Sequence, residues 1–267
     1  MWILTLWSAV AAAEPTVSSS RSPSLFAPVP QDALRPLTTD RPDITESAVT
    51  VDAGHLQLEM DFPVVGVDRE TRDVGLTLMG MNLKLGLTRS VDLQLVAPPI
   101  GVPLGADVVR PVGQDALVRV KINVLGNDGG DVALGVMPFV VANLDGLDPD
   151  VVIPLEGGVI VPWSFALPAD FSLAMMAQFE INHAGAGWQP GGVGSMSVAH
   201  PLPIEGVGAY LETAALVAPT MAESALLASG GFTWGATDDV QFDLGARLPV
   251  AGVGGAYEGF GGVSIRR

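Results

Sequence analysis

Apolar and polar residues alternate with period two through most of this chain. The clearest run is FSLAMMAQFEIN, Phe171 to Asn182. Phe171, Leu173, Met175, Ala177, Phe179 and Ile181 fall on one side. Ser172, Ala174, Met176, Gln178, Glu180 and Asn182 fall on the other. Strand side chains alternate between two faces, so the run predicts a strand with one apolar and one mostly polar face. At roughly 3.3 Å per residue it extends about 40 Å, enough when tilted near ~45° to cross an apolar layer about 25 Å tall. Ordinary strands stop near five or six residues.

Similar segments are predicted near 55–66, 74–87, 91–97, 116–125, 132–141, 157–167, 171–182, 193–202, 207–217, 225–235, 240–248 and 257–266. Short turns at 88–90, 126–130, 168–170, 203–206 and 236–239 alternate with longer links at 98–115, 142–156, 183–192, 218–224 and 249–256. About twelve strands, an even number, with short turns on one rim and long loops on the other, describe an all-β transmembrane antiparallel β-barrel. Both termini then share the short-turn rim.

A soluble sandwich would bury the apolar face, whereas a membrane barrel turns it outward. Charges recur in mid-strand on the polar face, at Glu59, Asp61, Lys84, Asp92, Arg119, Lys121, Glu180, Glu212, Asp243 and Arg247. Leu83, Leu85, Leu87, Val118, Val120, Ile122, Phe242 and Leu244 lie opposite. Long strands carrying such charges favour the barrel. Hydrocarbon offers no water to an unpaired strand edge, so a spanning sheet must close on itself.

Composition narrows function by exclusion. A net charge of −16 disfavours nucleic acid as a partner. The absence of cysteine removes disulfides, thiolate metal sites and thiol catalysis. Residues 1–13, MWILTLWSAVAAA, read as a signal peptide with an A-x-A cleavage site, though without a basic residue ahead of the apolar core. Residues 14–38, rich in Ser and Pro, read as a flexible linker, and 39–267 as the barrel.

The segment TDRPDITES, Thr39 to Ser47, precedes GHLQLE in the first strand. Together they resemble the opening of the outer-membrane transporter family named for the MetA-pathway of phenol degradation. LKLGLTRSVDLQL (Leu83 to Leu95), GQDALVRVKINV (Gly113 to Val124), VPWSFALPADFSLAM (Val161 to Met175) and GAYLE (Gly208 to Glu212) are similar too. The resemblance implies an outer-membrane channel or transporter for small aromatic or hydrophobic solutes. The barrel itself is expected to be embedded in lipid, its oligomeric state open with a monomer favoured. Its rivals are a closed structural or interaction barrel and a soluble exported β-sandwich.

The charged face supplies the main candidate chemistry. Glu59, Lys84, Arg119, Lys121, Glu180, Glu212, Asp243 and Arg247 would line a narrow lumen, either as a selectivity ring or as an ion-pair network holding strands in register. Asp40, Arg41, Asp43 and Glu46 of TDRPDITES are polar enough to enter such a bore as a plug. The other reading is an initiating turn, with Arg41-Pro42 favouring extended backbone. Ala142 to Asp150, ANLDGLDPD, is rich in calcium-type oxygens but lacks EF-hand spacing, so it reads as a solvated acidic loop. Ser195, Ser197 and His200 lie close in sequence without a nucleophile elbow or an acid partner. No enzyme activity, metal or cofactor is expected.

Overall fold

The computed structural model describes residues 22–103, 110–111, 115–143, 155–184, 187–219, 224–252 and 256–267. The expected signal peptide and most of the acidic loop, including Asp145, Asp148 and Asp150, lie outside them. Among the described residues fifteen strands form one antiparallel sheet. They are β1 (Leu56–Asp68), β2 (Val74–Leu78), β3 (Met81–Thr88), β4 (Val91–Ala97), β5 (Ile100–Pro103), β6 (Arg110–Pro111), β7 (Asp115–Leu125) and β8 (Val132–Asn143). There follow β9 (Glu156–Ala166), β10 (Ser172–Ala184), β11 (Gly187–Pro201), β12 (Val207–Val217), β13 (Ala225–Thr237), β14 (Val240–Gly252) and β15 (Ala256–Arg266).

Three of the barrel's staves are broken in the middle. β2 pairs with the upper part of β1 and β3 with its lower part, β5 continues β4 alongside β2, and β6 precedes β7. Counting each broken stave once leaves twelve. β15 pairs back onto β1, from Gln57↔Arg266 to Asp68↔Ala256, and closes the barrel. Closure removes the unpaired edge that lipid would not tolerate. It also overrides local turn propensity. The Gly- and Pro-rich stretch 183–192 was expected to form a long link, but β10 and β11 stay paired up to Ala184↔Gly187.

The two faces separate as a membrane requires. Leu83, Leu95, Val118, Phe179, Leu211, Phe232 and Leu244 are all exposed, Leu211 by 74%. On the alternate positions Glu59, Lys84, Asp92, Gln94, Lys121 and Glu212 are buried, Lys84 and Lys121 to 1%. An exterior this apolar around an interior this charged inverts the soluble sandwich, and no helix among the described residues is long and apolar enough to cross a membrane.

The terminus-side rim carries a strap. Composition pointed to a flexible linker over residues 14–38, yet the described part, 22–38, is hydrogen-bonded to the barrel. Leu25 N donates to Leu87 O, Val29 N to Ala53 O, the Gln31 amide to Asp239, and Arg266 to Arg35 O. Arg35 also pairs with Asp52 at 2.8 Å. The polar rim of a barrel offers turn carbonyls and carboxylates that periodicity within the strap cannot reveal.

Candidate functional site

From the strap the chain turns inward. Thr39 to Val51 lies inside the barrel, and it emerges at Asp52–His55 to begin β1. Asp40 is the anchor. Its carboxylate accepts from Lys121 Nζ (β7) at 2.7 and 2.8 Å and pairs with Lys84 (β3), which also pairs with Glu59 (β1). Asp40 N donates to Glu59 at 3.1 Å, and Ser47 N donates back to Asp40 Oδ1 at 2.8 Å, closing the segment on itself. Burial would raise the Asp40 carboxyl, but Lys121 and Lys84 hold it well below the usual carboxylate range.

Arg41 points to the neighbouring wall. It pairs with Asp243 (β14) at 2.8 Å and with Asp61 (β1), which keep the buried guanidinium protonated. Gly262 on β15 makes room: a Cβ there would overlap the Arg41 guanidinium. Gly86 does the same for the emerging chain, because a Cβ would strike the Asp52 carbonyl.

Further along, Ile44 N and Thr45 N donate to Glu212 (β12) at 2.9 and 2.8 Å, as does Thr45 Oγ1 at 2.7 Å. Ser229 Oγ donates to the same carboxylate, and Thr45 Oγ1 lies 2.8 Å from Ser195 Oγ. Four donors satisfy Glu212 without a cation. Asp43, beside it and hydrogen-bonded to Ser197, is pushed up to about 7 by burial and then by the Glu212 charge. Glu46 pairs with Arg119 (β7), yet burial dominates and lifts its carboxyl to about 7.

The lumen is not polar all round. Met137 and Phe139 of β8, Ile160 of β9 and Met176 of β10 form a buried apolar cluster, with Ile44 of the segment packed against it. Cavities of about 290 Å³ and about 540 Å³ lie beside the segment. Asp61, Asn82, Pro99 and Leu117 line the first, toward the loop rim. Ser172, Ser197, Tyr210 and Gln241 line the second, toward the terminus rim.

Of the candidates read from sequence, the structure gathers Glu59, Lys84, Arg119, Lys121, Glu212 and Asp243 around Asp40, Arg41, Asp43 and Glu46. Two stand apart from that network. Arg247 pairs with Glu258 at 2.8 Å and lies over the Phe260 ring, and Glu180 accepts from Gln178 and Asn182 on its own strand. Ser195 and Ser197 face the lumen while His200, five and three positions on and so in opposite alternation, packs on outward-facing Phe171 with ring centroids 4.4 Å apart. Sequence reasoning missed the uncharged partners Gln57, Gln94, Asn123 and Ser229. They occupy the same alternate positions as the charges, so the face rule alone could have found them.

A closed twelve-stave barrel with a charged interior and an apolar exterior is an outer-membrane-type porin fold. Solved structures agree: the NanC porin matches with a TM-score of 0.51 at 9% identity, covering 79% of this chain and 99% of that one. The KdgM porin matches with a TM-score of 0.50 at 5% identity over 79% and 98%, as does KdgM in complex with disordered oligogalacturonate. No sequence relative is found among curated proteins. Residues 39–266 match the family model described as "Putative MetA-pathway of phenol degradation", and the chain belongs to that family.

Proposed function

We propose that this protein is a single-chain outer-membrane channel, exported by its N-terminal signal, that passes small aromatic or hydrophobic solutes. At rest its bore is plugged by Thr39–Ser47. The observation that carries this reading is the composition of the bore at the segment's depth. Ion pairs fix Asp40 and Arg41 to one side, while Met137, Phe139, Ile160 and Met176 offer an apolar surface on the other. Such a surface costs a hydrophobic solute little to cross and discriminates against ions. The neighbouring cavities approach the size of small-ligand pockets.

Deleting Thr39–Ser47 tests the plug. The deleted barrel should assemble, shown by a shift in gel migration between unheated and boiled samples, and should carry larger currents in planar bilayers. Arg119→Ala with Lys121→Ala should raise conductance in the same direction by loosening the seat. A deleted barrel that fails to assemble would instead make the segment an initiating element.

A second reading, a closed structural barrel, draws on the completeness of the ion-pair network around Asp40. Liposome swelling with graded small solutes separates the two, because a structural barrel admits none even after the deletion.

A further inference from the structure

Two prolines interrupt the barrel wall where the lumen is least polar. Proline has no N–H to give to a ladder, so in sheets it belongs on edges and at bulges, and a closed barrel has no edge. Pro138 and Pro162 nevertheless stand in the middle of β8 and β9. Pairing between β7 and β8 runs to Arg119↔Phe139 and resumes at Ile122↔Val136. It omits Val120 and Lys121 opposite Pro138 and Met137. Pairing between β8 and β9 runs to Leu134↔Trp163 and resumes at Met137↔Ile160, omitting Gly135 and Val136 opposite Pro162 and Val161. Each of the four residues Gly135–Pro138 thus lacks a ladder partner on one side. The β9–β10 ladder continues unbroken through Met176↔Pro162, so Pro162 interrupts only the seam it shares with β8.

The inner side of these seams is the apolar cluster of Met137, Phe139, Ile160 and Met176. The N-terminal segment backs them. Asn123 Nδ2 holds the Ala48 carbonyl at 2.8 Å, and a Cβ added to Gly135 would lie 3.2 Å from Pro162 Cγ and 3.4 Å from Ala48 Cα. Lys121, at the other seam, is tied to Asp40. On the outer side Pro138 and Val140 are exposed to the hydrocarbon.

We propose that the seams flanking Gly135–Pro138 form a lateral portal, backed at rest by Ala48, through which an apolar solute passes from the lumen into the membrane interior. This rests on the reading that the barrel passes apolar solutes, and it names their route. Parting two strands inside lipid exposes backbone groups at a cost of several kcal/mol each. Where a proline has already removed a ladder bond from a seam, that part of the cost is met in the folded wall. An apolar molecule gains by leaving through the wall, since the far end of the bore opens on water.

The chain has no cysteine, so an engineered pair reports cleanly. Val136 and Val161 stand opposite each other across the β8–β9 seam on the outward alternation, and neither is a proline; opposed antiparallel residues bring their Cβ atoms near disulfide reach. The experiment compares wild type, V136C/V161C, which keeps both prolines, and the uncrosslinked P138V/P162V, which restores both N–H groups, in cells with a lipopolysaccharide outer leaflet. The probe is N-phenyl-1-naphthylamine, which fluoresces on entering hydrocarbon, and planar-bilayer conductance is measured in parallel. The oxidised cysteine pair should slow probe entry about fivefold or more, with recovery on reduction. P138V/P162V should slow it permanently, and conductance should stay at the wild-type level in both. Wild-type entry rates in the oxidised pair and in P138V/P162V would overturn the portal while leaving the channel intact. Wild type that speeds entry no more than cells lacking the protein would overturn channel and portal together.

Discussion

The wall built by β1, β3, β4 and β7 and the wall built by β8, β9 and β10 hold the same segment by different physics. On the first, Asp40 sits between two lysines and Glu46 meets Arg119. On the second, Ile44 packs against the cluster of Met137, Phe139, Ile160 and Met176. The charged contacts are directional and fix register, because sliding the segment by one residue would leave buried lysines without an anion. The apolar contacts are tolerant of sliding and supply adhesion alone. One wall therefore decides where the segment sits, and the other decides how easily something greasy can slip past it.

Substitutions should reproduce that division. Asp40→Ala leaves Lys84 and Lys121 buried without a shared partner, and breaking a buried pair costs about 3–5 kcal/mol. Guanidinium unfolding in detergent should show that loss, with the segment becoming open to protease. A loss within ~1 kcal/mol would place Asp40 outside the seat.

Acidity should act next most strongly. Asp43 and Glu46 carry carboxyls raised to about 7 in the seated segment, where burial favours the protonated form. A released segment would ionise them near ~4, so seating binds protons. Seating is then firmest in mild acid, weakens as pH rises toward about 7, and levels off above it. Each carboxyl should weaken it by roughly tenfold per pH unit across that window. Asp40 acts in the opposite sense, since its depressed carboxyl adds stability above the ordinary carboxylate range that is lost in stronger acid. Conductance measured from pH 5 to 8 should rise, and Asp43→Asn should flatten the rise. A conductance that falls with pH would contradict the assignment.

Smaller effects sharpen the contrast. Gly262→Val intrudes on the Arg41 guanidinium without removing a charge and should cost about 1–3 kcal/mol, the usual range for overpacking. Ile160→Val on the apolar wall should cost about 0.5–1.5 kcal/mol and leave the segment in register. Arg89→Ala breaks only an exposed pair with Asp128 at the rim and should change stability by ~0.5 kcal/mol or less. If Ile160→Val displaced the segment more than Asp40→Ala did, the division of labour would be reversed.

Much of this was legible from alternation. The expected strands fall on the observed ones, and the charges at Glu59, Lys84, Arg119, Lys121, Glu212 and Asp243 point where the face rule sent them. The apolar wall was not legible. β8 reads VALGVMPFVVAN, apolar on both faces, so period two cannot say that Met137 and Phe139 look inward while Pro138 and Val140 meet lipid. The breaks at Met79–Gly80 and around Pro138 and Pro162 were hidden for another reason. They depend on which neighbour each missing or misaligned N–H faces, a property of pairing and not of one strand. The strap was missed because its contacts join residues far apart in sequence, such as Arg35 with Arg266 and Gln31 with Asp239. Asp43 beside Glu212 arises in the same way, from a loop that only the closed barrel brings to β12.

The seat of the segment can be tested by covalent capture. Thr45 and Ser195 place their hydroxyl oxygens 2.8 Å apart in the lumen, so Thr45→Cys with Ser195→Cys should form a disulfide under mild oxidant in the folded barrel. Crosslinked protein should migrate as a distinct species after boiling without reductant. In bilayers it should stay at its lowest conductance until dithiothreitol is added. Two thiols that remain freely alkylated in the assembled barrel would show that Thr39–Ser47 does not occupy the lumen.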